Sequence, residues 1–290
     1  PTRAYQNEST SYAHQKCWMF DPKNFCADVD IVLTSYKRPH TLKLQLESIE
    51  NQSLKPRNIF LFQDGIEDYY EINFDPKFLA QFSGFEISKK NYGVWKRFEY
   101  ASRVAKSKYV CIFDDDTIPG RRWLENCLMN SMQHRGVYGT NGILLKTIDG
   151  YPENANTRIN IGWHNPNPKT LQVDFVGHAW FVERKFLEWM LTKKFYSERY
   201  RTSGEDMAIS FACQEHGIST FVPQHIPQIK SLWGSIPEFG NKFGNDQSAL
   251  SLNWNELTKM KQSIYEMHAD GWKFLYETNP EYLKSFTEKK

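Results

Sequence analysis

The 290-residue sequence has no long hydrophobic run: no stretch of about 18 apolar residues occurs, which excludes a transmembrane helix from it. It also lacks an excess of charge of one sign. Its 36 Lys and Arg residues stand against 34 Asp and Glu residues, and the formal net charge is +2. A dedicated nucleic-acid-binding protein needs a larger basic surplus, so we expect no nucleic-acid partner.

Cysteine is scarce and scattered. The five cysteines are an odd number without a C-x-x-C pair, which argues against a zinc site or a full disulfide framework. A Cys17–Cys26 bridge would need an oxidising compartment, and we favour reduced thiols. The first ten residues carry no apolar leader and no initial Met, so we expect a chain trimmed at its N-terminus. We expect a cytoplasmic protein, soluble or in peripheral contact with a membrane, rather than one of the secretory-pathway lumen.

The composition is that of a globular protein. Hydrophobic residues make up 40% and charged residues 24%, which excludes wholesale disorder. Aromatic residues reach 15%, and their faces suit sugar rings and nucleobases but suit a protein core equally well. At roughly 150 residues per domain, the length fits one large α/β domain or two small domains.

Apolar β-branched runs alternate with segments of helical spacing over residues 29–135. The predicted strands are Val29–Leu33, Asn58–Phe62, Phe85–Ser88 and Tyr109–Phe113, and the predicted helices are Thr41–Glu50, Val94–Val104 and Arg121–Gln133. This alternation predicts an α/β fold with a mostly parallel central sheet flanked by helices. In such a sheet, ligands bind beyond the carboxyl ends of the strands.

The pattern divides the chain into three parts. Residues 1–28 are expected to form an irregular arm, residues 29–250 the main domain, and residues 251–290 a helical C-terminal tail that packs on it. The main domain changes character near residue 136. The later elements expected are loops and short strands over 139–170, strand Val173–Val182, helices Glu183–Lys193 and Glu205–His216, strand Ser219–Val222, and loops over 224–248.

Three adjacent carboxylates follow the apolar strand Tyr109–Phe113. Asp114, Asp115 and Asp116 repel one another unless a counter-charge is present. A divalent cation bound through oxygen would supply that charge, and Mg²⁺ or Mn²⁺ can in turn bridge phosphate oxygens. The alternative is a solvated acidic turn in which Asp116 caps the next helix. The position at the end of an apolar strand favours the metal site.

A second acidic pair, Glu205-Asp206, follows Gly204 and opens a predicted helix. The helix dipole favours carboxylates at a helix start, so a purely capping role is the alternative. The functional interpretation is a general base that faces a metal-bound substrate.

Together with the segments Asp30–Arg38 and Lys90–Gly93 and with Asp64 and Arg97, these two acidic sites resemble in order and spacing the family 2-type glycosyltransferases of the GT-A fold. The resemblance covers about 200 residues, roughly 28–230. It implies a Rossmann-like GT-A domain that moves a sugar from a nucleotide-sugar, with UDP expected, to a saccharide hydroxyl in glycan or polysaccharide synthesis. It also implies Mn²⁺ or Mg²⁺ as cofactor, nucleotide binding by 29–135, and acceptor binding and catalysis by 136–250.

The resemblance assigns roles to individual residues. Asp206 would deprotonate the acceptor hydroxyl, with Glu205 as the second choice for that role. Asp116 would ligate the metal directly, and Asp114 would hold the ribose or a metal-bound water. The other residues expected to bind the nucleotide and donor are Thr34, Tyr36, Arg38, Asp64 (at the uracil edge or ribose), Asn91, Gly93, Arg97 and Asp115.

Four later residues complete the expected site. The family often adds a late His as a metal ligand, and His225 is the match. His178, Trp180 and Trp233 are expected to contact the donor or acceptor sugar, and residues 231–235 to form a lid. Structural roles are the alternatives for His225 and Trp180.

The Q-x-x-R-W motif of processive synthases is absent, so we expect a non-processive enzyme. One base without a nucleophile beside it favours an inverting single displacement, and a retaining transferase is the alternative. A non-catalytic domain, either saccharide-binding or a degenerate transferase, also stays open, as does a glycoside hydrolase, which needs neither nucleotide nor metal. A nucleotidyltransferase is disfavoured because no Gly-rich, Lys-bearing phosphate loop follows the first strand.

Overall fold

The structure is a computed structural model that describes residues 20–21, 26–66, 74–152, 155–193, 202–244 and 253–287. Most of the arm predicted over residues 1–28 lies outside these ranges, as does Cys17 with its proposed bridge. Cys111, Cys127 and Cys213 lie in the described part and are buried free thiols.

The described strands form one large sheet and one small ribbon. The strands are β1 (Phe20–Asp21), β2 (Cys26–Ala27), β3 (Val29–Ser35), β4 (Asn58–Gln63), β5 (Gly84–Ile87), β6 (Tyr109–Phe113), β7 (Gly136–Leu145), β8 (Arg158–Gly162), β9 (Leu171–Val173), β10 (Phe175–Glu183) and β11 (Ser219–Val222). β1 pairs with β2, and the large sheet has the order β5-β4-β3-β6-β10-β7-β11-β9, with β8 also paired to β7.

Most strands of the large sheet run in one direction. Within the described residues, β3, β4, β5, β6, β7 and β11 are parallel in sense, and β8, β9 and β10 run the opposite way. The predicted α/β fold with a mostly parallel sheet is therefore confirmed. The sheet is mixed because β10 lies antiparallel between β6 and β7.

Helices cover both faces of the sheet. The described helices are α1 (Pro39–Glu50), α2 (Pro76–Leu79), α3 (Lys96–Val104), α4 (Trp123–Gln133), α5 (Arg184–Leu191), α6 (Glu205–Gln214), α7 (Pro237–Phe243), α8 (Trp254–Ala269), α9 (Leu275–Thr278) and α10 (Pro280–Thr287). Every residue of β3 is buried, and its side chains alternate between two cores: Ile31 and Leu33 belong to one cluster and Val32 to the other. Burial on both faces explains why this strand reads as a continuous apolar run.

Three parts of the second half differ from the sequence prediction. One is the segment 224–248, expected to be loops, which contains helix α7 (Pro237–Phe243). The single strand expected over Val173–Val182 is two strands, separated at Asp174, whose carboxylate accepts the backbone N–H groups of Leu145 and Leu275 at 2.7 Å each. Loops and short strands were expected over 139–170, but residues 139–145 belong to the ten-residue strand β7. Its glycines suggested turns, but Gly139 and Gly142 lie where Val176 and Val222 pack directly on the backbone.

The C-terminal helical part packs on the main body, as predicted. Ile264 and Met267 of α8 and Trp272, which follows it, are buried in the same core cluster as residues of β7 and β10. Among the described helices, none combines the length and the apolar character needed to cross a bilayer.

The order of the strands reverses beside β3, at the carboxyl ends of β3 and β6. From β3 the chain moves outward to β4 and β5, and α3 then returns it to β6 on the other side of β3. The loops that follow β3 and β6 therefore diverge at the carboxyl ends of two adjacent strands. Open α/β sheets bind their ligands at such a reversal of strand order.

Candidate active site

The acidic triplet, Asp114–Asp116, lies in this reversal. Asp115 Oδ1 accepts a hydrogen bond from Arg38 Nη1 at 2.7 Å, and Oδ2 accepts one from the backbone N–H of Tyr36 at 3.2 Å. Asp116 Oδ2 lies 3.7 Å from the same Arg38 Nη1. The loop after β3 thus supplies a cation to the loop after β6.

Helix α1 holds the backbone of the acidic triplet in place. Gln45 Nε2 donates to the carbonyl oxygens of Asp114 at 2.7 Å and Thr117 at 2.9 Å. Thr41 Oγ1 donates to the carbonyl of Asp115 at 2.6 Å. Neither residue was a predicted site residue. The sequence feature that could have indicated them is the position of two polar residues on the apolar face of the helix, where the structure buries both.

Arg97, on α3, connects the triplet to the acidic pair, Glu205 and Asp206. Its guanidinium donates to Asp114, and Nη2 lies 3.0 Å from Glu205 Oε1. The guanidinium also stacks on Trp180, 4.6 Å from the ring centroid. The structure therefore brings the two predicted acidic sites together around one arginine.

Burial sets the electrostatics of this cluster. It raises the pKa of Asp206 well above its ordinary value; the charges of Glu205 and Asp114 raise it further, and Arg97 opposes the shift. Burial likewise raises the pKa of Asp115 to about 7 against the effect of Arg38. Burial lowers the pKa of Arg97, but Asp114, Glu205 and the other carboxylates together leave it raised. The arginine therefore stays charged while its acidic neighbours resist ionisation.

One carboxylate oxygen of Asp206 makes no hydrogen bond in the part of the chain that the structure describes. Its Oδ1 is buried and has no hydrogen-bond partner among the described residues. Gly177 of β10 lies against the other oxygen, because a Cβ built on this glycine would be 3.3 Å from Asp206 Oδ2. A buried acceptor without a donor is costly, so a ligand hydroxyl would find a vacant acceptor here.

The predicted nucleotide-binding loops are joined to each other. Asn91 Nδ2 donates to the hydroxyl of Tyr36 at 2.9 Å, and Asn91 Oδ1 accepts the N–H of Gly93 at 2.8 Å. Asp64 accepts the backbone N–H groups of Tyr92 and Gly93, both at 2.9 Å through Oδ2. The loops after β3, β4 and β5 thus form one hydrogen-bonded rim.

Two of these residues differ from their predicted roles. Asp64 is 7% exposed and holds backbone amides, so it positions residues 92–93 instead of offering a free carboxylate to uracil or ribose. Thr34 is also 7% exposed, and its hydroxyl donates to the carbonyl of Phe113 at 2.6 Å. It joins β3 to β6 and does not line a pocket.

His225 does not fit the predicted metal-ligand role. The ring is completely buried, and Nδ1 donates to the carbonyl of Pro223 at 2.8 Å. Nε2 accepts the N–H of Gly234 at 3.2 Å and lies 3.1 Å from Thr140 Oγ1. Burial lowers the pKa of His225 to about 4, which keeps the ring neutral. Both ring nitrogens are occupied, so the alternative structural role applies.

Trp180 and Trp233 are core residues and do not reach a sugar, contrary to prediction. Trp180 is fully buried, and its Nε1 donates to the carbonyl of Val176 at 3.0 Å. Trp233 is 4% exposed, and its Nε1 donates to the carbonyl of Ile226 at 2.8 Å. The ring of Trp180 instead stacks against the guanidinium of Arg97. Of the predicted sugar-contacting residues, His178 alone is half-exposed, and its carbonyl accepts the N–H of Asp114 at 2.9 Å.

The segment that covers the triplet is not the predicted lid. Residues 231–235 are largely buried, whereas the cover segment, Pro237–Gly244, lies against the acidic triplet. A Cβ built on Gly244 would be 2.7 Å from Asp116 Oδ2. Phe243 contacts the ring of His40 on α1, with ring centroids 5.8 Å apart. The sequence signal was the Gly/Pro-rich composition of this stretch.

The carboxylates of the acidic triplet could supply part of the ligand set of a cation. No group of three or more His, Cys, Asp or Glu side chains is arranged to hold a metal within the ranges that the structure describes. Mg²⁺, however, commonly uses one or two carboxylates and completes its shell with water and substrate phosphates. Asp116 and Asp114, with side chains 18% and 26% exposed, fit that kind of site.

Comparison with models of protein families finds none that matches this chain, and comparison with curated proteins finds no match either.

Proposed function

We propose that the protein is a metal-dependent, non-processive glycosyltransferase that moves a sugar from a nucleotide-sugar, with UDP the expected nucleotide, to a saccharide hydroxyl with inversion. The observation that carries this proposal is the bridge formed by Arg97 between Asp114 and Glu205. It joins the acidic triplet, at the reversal of strand order, to the carboxylate pair in the first turn of α6. The acidic triplet would hold the leaving diphosphate through a cation, and the acidic pair would receive a proton.

The charge balance of the site supports a cationic ligand. The triplet and the pair contain three more carboxyl groups than the guanidinium groups of Arg38 and Arg97 that pair with them. Like charges at this density are unfavourable unless protons or a cation neutralise them. Asp116 and Asp114 would hold Mn²⁺ or Mg²⁺, which would neutralise charge on the diphosphate.

Asp206 suits the role of general base. Its Oδ1, which has no hydrogen-bond partner within the described ranges, would accept the proton of an acceptor hydroxyl. Burial and the charges of Glu205 and Asp114 raise the pKa of Asp206, so its ionised form is a stronger base than an ordinary aspartate. In the step proposed, the hydroxyl oxygen bonds to the anomeric carbon, the bond from that carbon to the diphosphate oxygen breaks, and its electron pair leaves with the diphosphate. The hydroxyl proton goes to Asp206.

Thermal unfolding in the presence of nucleotides tests the proposal. The panel is UDP, UDP-glucose, UDP-galactose and UDP-N-acetylglucosamine, each with Mn²⁺ or with a chelator, and ADP and GDP as controls. A ligand at about 100 times its dissociation constant stabilises the native state by about 2.7 kcal/mol, so we expect a clear rise in Tm for uridine nucleotides with Mn²⁺. The sugar nucleotide that gives the largest rise is then tested for UDP release.

The absence of any nucleotide-dependent rise in Tm would contradict the proposal. Glycoside cleavage that persists in the presence of the chelator and without nucleotide would favour a hydrolase instead. Metal-dependent nucleotide binding without UDP release, with or without added glycosides, would favour a non-catalytic domain.

A further inference from the structure

One row of residues crosses three strands beside Asp206. Gly162 of β8 pairs with Asn141 of β7, and Asn141 pairs with Gly177 of β10. Directly opposed residues of antiparallel strands present their side chains on the same face of a sheet. Because Gly177 faces Asp206 Oδ2, Asn141 lies on the Asp206 face. It is half-buried, has a glycine on each side, and its amide makes no hydrogen bond among the described residues.

Two aromatic residues border this row. Trp163 follows Gly162 and His178 follows Gly177, and their ring centroids are 4.5 Å apart. Both residues have left-handed backbones, with φ of 39° at Trp163 and 68° at His178. The pairing of β10 with β7 shifts register between Gly177 and Trp180. Bulges and strained backbones of this kind re-aim side chains at binding sites.

The indole N–H of Trp163 has no acceptor among the residues that the structure describes. Its Nε1 is buried and lacks a hydrogen-bond partner in the described part of the chain. The cover segment lies on the edge of the ring: a Cβ built on Gly240 would be 2.8 Å from Trp163 Cζ2 and 3.1 Å from Nε1. A buried donor of this kind gains a hydrogen bond when a ligand oxygen replaces the segment that covers it.

From this geometry we infer that Asn141 and Trp163, with His178, form the subsite that receives the acceptor sugar. The inference rests on the proposed function and names its acceptor as an uncharged, polyhydroxylated ring. The indole offers an apolar face and one N–H donor, and the amide of Asn141 both donates to and accepts from hydroxyl groups. Asp206, on the same face, would take the proton of the reacting hydroxyl. The cover segment would leave the indole edge as the ring enters.

A binding measurement tests the subsite without any need for turnover. The probes are the 4-nitrophenyl glycosides of glucose, galactose, mannose and N-acetylglucosamine, detected by saturation-transfer NMR with Mg²⁺ and UDP present. Trp163→Phe keeps a ring and removes the N–H, and Asn141→Ala removes the amide. We expect at least one glycoside to bind, and each substitution to weaken it about tenfold, the effect of losing one or two hydrogen bonds.

Two control variants match these changes. Trp189→Phe makes the same replacement on α5, where Trp189 stacks on His216 with ring centroids 3.8 Å apart. Asn160→Ala removes an exposed amide from β8. Both should bind the glycoside as the wild type does. Circular dichroism and thermal unfolding identify a test variant that does not fold, and Asn141→Asp and Trp163→Tyr then replace it.

The outcomes separate the subsite from the proposed function. Failure of every glycoside to bind the wild type, or equal binding by the test and control variants, overturns the subsite. UDP release from a nucleotide-sugar in water, measured on the wild type, reports the transferase independently of the subsite. Glycoside binding that depends on Asn141 and Trp163 without any UDP release would keep the subsite and reject the transferase.

Discussion

Arg97 Nη2 lies 3.0 Å from Glu205 Oε1, although 108 positions separate the two residues in the sequence. The guanidinium of Arg97 also pairs with the carboxylate of Asp114, and it stacks on the ring of Trp180. One side chain therefore sets the distance between the acidic triplet and the acidic pair. Its fork geometry allows contacts with two carboxylates at once, which a lysine does not reproduce.

Replacing Arg97 by Gln should strongly destabilise the protein. Removal of one partner from a buried ion pair typically costs about 3–5 kcal/mol, because the remaining charge is left without compensation. Without the arginine the pKa values of Asp114 and Glu205 rise further. The variant should therefore lose more stability near pH 8, where ionisation is forced, than near about pH 5.

Urea unfolding at both pH values measures this effect. Arg103→Gln is the control on the same helix, since Arg103 is 57% exposed and pairs with Glu86 at the surface. Surface pairs contribute about 0–1 kcal/mol, so this variant should stay close to the wild type. Equal losses in the two variants would remove the central role given to Arg97.

Asp206→Asn should abolish transfer and spare nucleotide binding. Loss of a general base typically lowers kcat by about 100-fold or more. The same change removes a carboxylate whose ionised form is disfavoured by burial and by its acidic neighbours, so the Tm should rise. Single-turnover assays and thermal unfolding provide the two readouts. Retained turnover in Asp206→Asn would show that Asp206 is not the general base, and Glu205 would then be the candidate for that role.

Asp116→Asn should remove the dependence of nucleotide binding on metal. If Asp116 is the carboxylate that meets the cation, its amide loses the charge that attracts Mn²⁺ and leaves the fold intact. Titration calorimetry of UDP with and without Mn²⁺ measures the difference. His225→Gln serves as the contrasting variant, because the buried His225 should affect stability without altering the metal dependence. A metal effect lost in His225→Gln and kept in Asp116→Asn would reverse the assignment made here.

Asp174 should give the protein a characteristic pH dependence of stability. Burial raises the pKa of Asp174 from 3.8 to about 7, so the folded protein binds this proton more tightly than the unfolded chain. The contribution to the free energy of unfolding is therefore largest below about pH 4 and declines as the pH rises toward about 7.

Asp174→Asn has no such proton, and one of the N–H groups of Leu145 and Leu275 loses its acceptor. It should be less stable than the wild type, and the difference should shrink between about pH 4 and pH 7. Urea unfolding across this range measures it, with Asp149→Asn, at an aspartate 61% exposed, as the control. A constant difference at every pH would exclude the proposed titration.

Local sequence patterns predicted much of the first half of the fold. The strand Tyr109–Phe113 was predicted to the residue, and β3, β4 and α1 within two residues, because apolar periodicity and turn residues act over short distances. The same patterns predicted only loops and short strands where the long strand β7 lies, because its glycines serve close packing between strands and not turns. The positions of the two acidic sites at the ends of elements were also evident from the sequence, because each depends only on its own strand or helix.

The sequence by itself thus determined the α/β class and placed five carboxylates at the ends of a strand and a helix. Only the tertiary structure decided which partner each carboxylate meets. The pairing of Arg97 with Glu205, the enclosure of His225 and Trp180, and the row of Gly162, Asn141 and Gly177 all join segments distant in the chain. Such contacts depend on strand order and register, which arise from the packing of the whole sheet and leave no periodic mark on any one segment.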